Sequence, residues 1–357
     1  MFGFKKLIDL EGPNPSEPNV SVILTTFNQA NLVSCVINGI CRNARDSFEL
    51  IVVDDSSSDG TLLILDSLLN QLVHSAPKIC PLITRVCLIK SRISSFETAC
   101  DQRGLMEAKS GVSILVQGDI VIDQVGYDLS MVKAINADPS LFLLSARGVV
   151  PFESVKLASL LTTRNSIKKL LYRLSNLELK RENQFSASTK EVKEDKEEFI
   201  YKRIFPDPEN FTRSGIAGWR GSLLESWQKL EEVNPFTTPP NRIWIGEFAM
   251  RGPCVIRNDR FVSIGGFNTK AFFVGLDDGD LCLRALLSYG WRAGFFPIKF
   301  RSPPEFGSTR KSRSIGQQIL YITYMFFKSR SVKHSKLFDF RRNQVKLTHL
   351  NSYILDF

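Results

Sequence analysis

Four short apolar runs, VSVIL (20–24), LIVV (50–53), RVCLI (85–89) and VSILV (112–116), recur along the first third of the chain with room for a helix between neighbours. Two of the intervals carry helical spacing. In NQANLVSCVINGICRNA, Leu32, Cys35, Val36, Gly39 and Ile40 fall at steps of three and four, with Asn28 placed as N-cap. In DGTLLILDSLLNQL the same holds for Leu62, Leu65, Leu69 and Leu72, with Asp59 as the cap. Such alternation predicts an α/β fold, a mostly parallel central sheet flanked by helices. Open sheets of this kind bind ligands beyond the carboxyl ends of their strands. Thr25, Thr26 and Phe27 stand at one such end, Asp54 and Asp55 at the next, and Asp119 after the fourth run. Read alone, Asp54 and Asp55 are equally well turn and helix-capping residues or ligand contacts. Three polar strand ends in one sheet favour a ligand site.

Composition excludes several classes. The chain has 357 residues, 43% apolar and 10% aromatic, enough to bury the core of one elaborated domain or two. A formal charge of +9 suits an anionic partner such as nucleotide phosphates or a membrane surface. The basic residues are dispersed and no nucleic-acid recognition motif occurs, so nucleic acid is set aside. Neither GxGxxG nor GxxxxGK[ST] is present, which excludes a dinucleotide fold and a P-loop. The seven cysteines form no CxxC pair and have no histidine at metal spacing, so they read as reduced, buried thiols rather than a disulfide or zinc framework. No signal peptide and no apolar run of about 18 residues is found. The expected location is the cytoplasm.

Four segments, VSVILTTFNQANLVSCVINGI, FELIVVDDSSSDGT, GLMEAKSGVSILVQGDI and GGFNTKAFFVGLDDGDLCLRALLSYGWRAGFFP, occur in this order and together resemble the family 2 glycosyltransferases of the GT-A fold. The resemblance covers roughly residues 19–120 and 245–300. It implies an inverting enzyme that moves a sugar from a nucleotide diphosphate sugar, UDP-linked by expectation, onto an acceptor hydroxyl in polysaccharide or glycoconjugate synthesis. It places Thr25, Phe27, Asn28, Asp54, Asp55, Gln102 and Gln117 at the nucleotide, with Asp55 accepting from the nucleobase imide. Asp54 is then turned toward the neighbouring loop as a cap or ribose contact. Asp119, in QGD (117–119), is the one carboxylate that matches the metal motif, and a Mg²⁺ or Mn²⁺ cofactor follows from the resemblance. An Arg-Asn pair common in the family is replaced by Asp101 and Gln102, and a metal-binding His after the last core strand is missing; Glu305, Arg310 or Lys311 are candidates for that role.

In GLDDGDLCLRALLSYGWRAGF, Asp280, Leu283, Arg284 and Leu287 fit a helix beginning near Gly279, with Asp277 and Asp278 at or before its N-terminus. The resemblance puts the catalytic base in this pair, Asp278 first and Asp277 second; helix capping is the bland alternative. Trp244, Glu247, Arg251 and Gly266 are placed at the acceptor, where for the first three a core role is equally compatible with the sequence. The expected organisation is a nucleotide-sugar half at 17–150, a helical, charged insertion at 151–240, an acceptor and catalytic half at 241–312, and a basic amphipathic helical tail at 313–357. In the insertion, Ile167, Leu170, Leu171, Leu174 and Leu177 share one helical face; in the tail, Ile319–Phe327 is too short to span a bilayer. Packing on the core and peripheral contact with the inner face of the plasma membrane both suit these segments, and the acceptor is a glycan or a lipid-linked group. Two rival functions are a sugar nucleotidyltransferase, which the absence of a Gly-rich basic first loop disfavours, and a non-catalytic nucleotide- or glycan-binding relative.

Overall fold

The computed structural model describes residues 3–74, 80–150, 240–246, 248–249, 251–269, 277–302 and 353–357. In chain order the elements are β1 (Phe4–Glu11), β2 (Val20–Thr26), α1 (Val33–Asn43), β3 (Phe48–Asp54), α2 (Thr61–His74), β4 (Ile83–Ser91), α3 (Phe96–Glu107), β5 (Val112–Gln117), β6 (Val121–Ile122), α4 (Tyr127–Asn136), β7 (Leu141–Ser145) and β8 (Val149–Val150). The second half adds β9 (Arg242–Gly246), β10 (Phe248–Ala249), β11 (Cys254–Arg257), α5 (Asn258–Ile264), α6 (Asp277–Tyr289), β12 (Arg292–Phe295), β13 (Phe300–Arg301) and β14 (Tyr353–Asp356).

Ten of these strands form one sheet in the order β1-β4-β3-β2-β5-β11-β7-β12-β9-β14, and β10–β8 and β13–β6 are separate two-stranded ladders. The four apolar runs are β2, β3, β4 and β5, which pair in parallel as a block. β2 and β3 are buried along their whole length, as parallel strands covered on both faces must be. β12 also joins β7 in parallel, while β1–β4, β5–β11, β11–β7, β12–β9 and β9–β14 are antiparallel. The α/β class stands; the parallel character belongs to the block of the first half, and antiparallel pairings prevail beyond it. β1 precedes residue 17, where the sequence puts the start of the first half, and adds an edge to the block.

Alternation along the strands sorts the helices into two layers. Val22, Leu24, Leu50 and Val52 pack with Val36 and Ile40 of α1, Leu65 and Leu69 of α2 and Met131 of α4. Ile23, Ile51 and Val53 face the other way, onto Leu105 of α3, Phe261 of α5 and Leu281 and Leu286 of α6. α3 lies close against β2 because position 104 is glycine: a Cβ there would overlap Ile23 Cγ2 and touch Val53 Cγ2 at 3.4 Å. α1 begins at Val33, four residues later than an Asn28 cap requires, because Asn28 takes a left-handed turn conformation (φ 51°) and bonds to the next loop instead. All seven cysteines are free and buried.

The insertion expected at 151–240 lies outside the described residues apart from its last one. So do Glu305, Arg310, Lys311 and the tail up to residue 352. The end of that tail, expected to be helical, is a strand: Tyr353–Asp356 pairs with Arg242–Ile245, and Arg242 grips Asp356 through Nε at 2.7 Å and Nη2 at 2.9 Å. No helix among the described residues is long and apolar enough to cross a membrane.

Candidate active site

Successive residues at the end of a strand face opposite layers, so the two carboxylates after β3 do not meet. Asp54 turns toward the layer of α1 and α2, fully buried, and accepts the Ser57 N–H at 2.9 Å; its Oδ1 is buried without a partner. Burial raises its pKa against the pull of the Ser57 bonds. Asp55 turns toward α3. It accepts the Ser94 hydroxyl at 2.8 Å, the Ser95 N–H, and the Phe96 N–H at 3.1 Å. Since Ser95 makes no side-chain cap of its own, Asp55 supplies from a neighbouring strand the acceptor that the start of α3 needs. Phe96, held there at φ 63°, is a left-handed non-glycine residue of the kind found where surrounding bonds over-determine the backbone.

The hydroxyl-rich SSSDGT stretch has an equally local purpose. Asn28 Oδ1 accepts the Ser58 N–H at 2.8 Å, and Ser57 Oγ accepts the Asn28 N–H at 2.8 Å. Thr61 Oγ1 accepts from Gln29 N–H at 2.7 Å and Asp59 from Ala30 N–H at 3.1 Å. The loops after β2 and β3 are thereby laced into one rigid rim, with Phe27 buried below it.

On the α3 face of the sheet, Thr25 and Gln117 stand opposite each other on β2 and β5. Thr25 hydrogen-bonds Asp101. Gln117 Nε2 donates to Glu97 at 2.6 Å, while its Oε1 is buried without a partner. Asp101 meets Arg251 Nη1 at 2.6 Å, and Arg251 Nη2 meets Asp277 Oδ2 at 2.6 Å. A continuous polar chain therefore runs from the end of β2 through α3 to the first turn of α6.

Within the acidic pair the two members differ. Asp277 is fully buried, bonded to Arg251 and to the Thr98 hydroxyl at 3.0 Å. Asp278 is half-buried and accepts backbone N–H groups, Gly279 at 2.9 Å and Arg251 at 3.4 Å. Burial, reinforced by Asp277, pushes the Asp278 carboxyl up to about 7, with Arg251 opposing. Burial likewise carries Asp101 to about 7 against Arg251. A half-buried carboxylate with a pKa near neutrality is suited to general-base work.

Several expected contacts are redirected. Trp244 is not at an open acceptor surface: it is 7% exposed on β9 and packs on Phe295 with ring centroids 5.4 Å apart, because its strand lies inside the sheet. Gln102 is turned away from the strand ends; its Oε1 accepts the Phe267 N–H at 2.7 Å. Gly266 makes room for that contact, since at φ 67° a Cβ would come within 2.5 Å of Gln102. Arg251 is engaged by carboxylates, stacked 5.3 Å from the Phe267 ring, and not free for an acceptor. Glu247 lies outside the described residues. Asp101, Glu97 and Thr98 were missed as site residues. Their signal was present in FETACDQ, where polar residues recur at i, i+1 and i+4 on a helix packed against the sheet.

Asp119 accepts the Ser302 hydroxyl at 3.2 Å, and Arg147 Nη2 reaches the same hydroxyl at 3.2 Å. Burial raises the Asp119 pKa and Arg147 opposes it. Among the described residues no three His, Cys, Asp or Glu gather at metal distance. One carboxylate does not make a protein cage, but it fits a cation that arrives on a diphosphate, for which one or two carboxylates suffice.

Residues 21–86, which hold β2, β3 and both laced loops, match the family described as glycosyl transferase family 2. Among solved structures, the mannosyltransferase PcManGT of Pyrobaculum calidifontis, in complex with GDP-Man and Mn²⁺, is 17% identical, with 81% of this chain and 57% of that one covered at a TM-score of 0.43. S. aureus TarS in complex with UDP is 13% identical, covering 91% and 69% at 0.41. TarS with UDP-GlcNAc is 13% identical, covering 91% and 70% at 0.43. This chain thus spans 57% of the length of the mannosyltransferase. Over residues 21–86, then, the chain is similar to glycosyl transferase family 2.

Proposed function

We propose that the chain is an inverting glycosyltransferase that passes a sugar from a nucleotide diphosphate sugar, with uridine as the nucleoside, to the hydroxyl of a glycan or lipid-linked acceptor. The observation that carries this reading is the polar chain Thr25–Asp101–Arg251–Asp277, which sets the strand ends and the half-buried Asp278 on the same face of the sheet. A donor seated on the rim after β2, β3 and β5 presents its anomeric carbon toward α6. Asp278 takes the acceptor proton at a carboxylate oxygen as the hydroxyl oxygen attacks, and the diphosphate leaves on the opposite side. Asp119 is the residue that would hold Mg²⁺ or Mn²⁺, whose chemistry is to stabilise charge on the leaving diphosphate. The residues between 303 and 352 include the basic tail to which membrane contact is ascribed.

Calorimetry with UDP, with and without Mn²⁺, and turnover of a nucleotide-sugar panel test this reading. Binding strengthened by Mn²⁺ and release of UDP in the presence of acceptor are expected. Asp278→Asn keeps the shape and removes the basicity, so UDP affinity persists while transfer falls by about 10²- to 10⁴-fold. Wild-type transfer in that variant overturns the base assignment, and a wild type that binds no nucleotide overturns the whole reading.

A further inference from the structure

We propose that Arg251 and Asp101 are positioning residues for Asp278: one guanidinium shared by Asp101 and Asp277 ties α3 to the first turn of α6 and leaves Asp278 as the member of the acidic pair that, among the described residues, is held through backbone N–H groups. The proposal rests on Asp278 being the base of the transfer reaction.

The geometry is closed on three sides. Arg251, with its side chain 8% exposed, meets Asp101 through Nη1 and Asp277 through Nη2, both at 2.6 Å, and Nη2 also reaches the Thr98 hydroxyl at 3.4 Å. Phe267 covers the guanidinium. Asp277 Oδ2 is taken by Arg251 and Thr98, and its buried Oδ1 has no partner among the described residues. A carboxylate so enclosed cannot approach an acceptor, while its neighbour in sequence, displaced by about 100° around the helix, can. Arg251 contributes its own backbone N–H to Asp278, so one residue fixes both members.

The charges around Asp278 predict how the cluster behaves. Asp277 comes from its own helix, Arg251 from the segment before β11, and Asp101 and Glu97 from α3 act on Arg251. Cys254 and Cys282 also face it; burial pushes Cys254 up to about 12 and Cys282 higher still, so both stay as neutral thiols. Among the described residues, Arg251 is the cation that acts on Asp278, against the Asp277 carboxylate. Removing the cation makes Asp278 harder to ionise; removing the charge of Asp101 frees more of the guanidinium's field for the acidic pair and makes it easier.

The test is the pH profile of kcat/KM. Arg251→Gln should move the acid limb upward by about one pH unit and lower kcat at neutral pH at least tenfold, with donor KM within about twofold of wild type. Asp101→Asn should move the limb downward. Displacements in opposite senses from two residues that touch each other are not produced by a general loss of stability. If both folded variants keep the wild-type limb, or both move it the same way, the positioning role is wrong; if Arg251→Gln does not fold, the direction seen in Asp101→Asn decides alone. Isotope-edited infrared titration of the aspartate carboxyls, assigned with Asp278→Asn, reads the same shifts without turnover. Shifts as expected in a protein that transfers no sugar overturn the transferase reading and the base assignment with it, leaving only the coupling of Arg251 and Asp101 to Asp278; unchanged titration in an active enzyme overturns the positioning alone.

Discussion

Asp55 shows how one carboxylate can be committed before any ligand arrives. Two backbone N–H groups and a serine hydroxyl converge on it at the start of α3. Asp55→Ala leaves those buried donors unpaired, at about 1–3 kcal/mol each. Urea unfolding should show a loss of about 3 kcal/mol or more, accompanied by weaker UDP binding; a variant as stable as wild type excludes the bracing role. The places of the carboxylates at the strand ends and of the DDGD segment at a helix start were legible in the sequence from residue type and spacing. Which atom each would bond was not. Asp54 and Asp55 are adjacent in sequence yet belong to different layers, and Asp101 reaches Arg251 across 150 residues. Such pairings follow from packing, to which local pattern carries no pointer.

Among the elements, α3 has the heaviest duty. It covers Ile23 and Val53, closes the site from one side and supplies Glu97, Thr98 and Asp101 to it. Its distance from the sheet is set at Gly104. Gly104→Val forces two methyl groups and a Cβ onto Ile23, an overpacking that should cost about 1–3 kcal/mol and, by lifting Asp101 from Arg251, lower transfer more than it lowers the melting temperature. Activity retained in full by a destabilised Gly104→Val would show that α3 tolerates displacement. The strands of the parallel block and helices α1, α2 and α6 were readable from periodicity. α3 was not readable from periodicity, because its buried face mixes apolar and charged residues. β1 was not read as a strand: seven of its eight residues are only partly buried or exposed at the sheet edge, so their alternation is weak.

Across the whole molecule, a second charge network ties the first edge of the sheet to the end of α3. Arg85 meets Glu49 at 2.8 Å, Glu107 at 2.7 Å and Asp9 at 2.7 Å, linking β4, β3, α3 and β1. Bonds from Lys6, Arg85 and Arg103 outweigh burial and hold Glu107 down to about 2; the Arg85 bond does the same for Asp9. Free carboxylates titrate near 4, so the native state binds fewer protons than the unfolded chain between about pH 4 and 2. The stability these groups contribute is present above that window and lost as the pH falls through it. Replacing Arg85 with methionine should flatten this acid limb of the unfolding curve, and an unaltered limb would assign acid sensitivity to other carboxylates. At the opposite edge, β14 closes the sheet on β9. Residues 353–356 therefore lie two strands from β12 in the same sheet, and their removal would strip β9 of its outer partner and leave a new open edge.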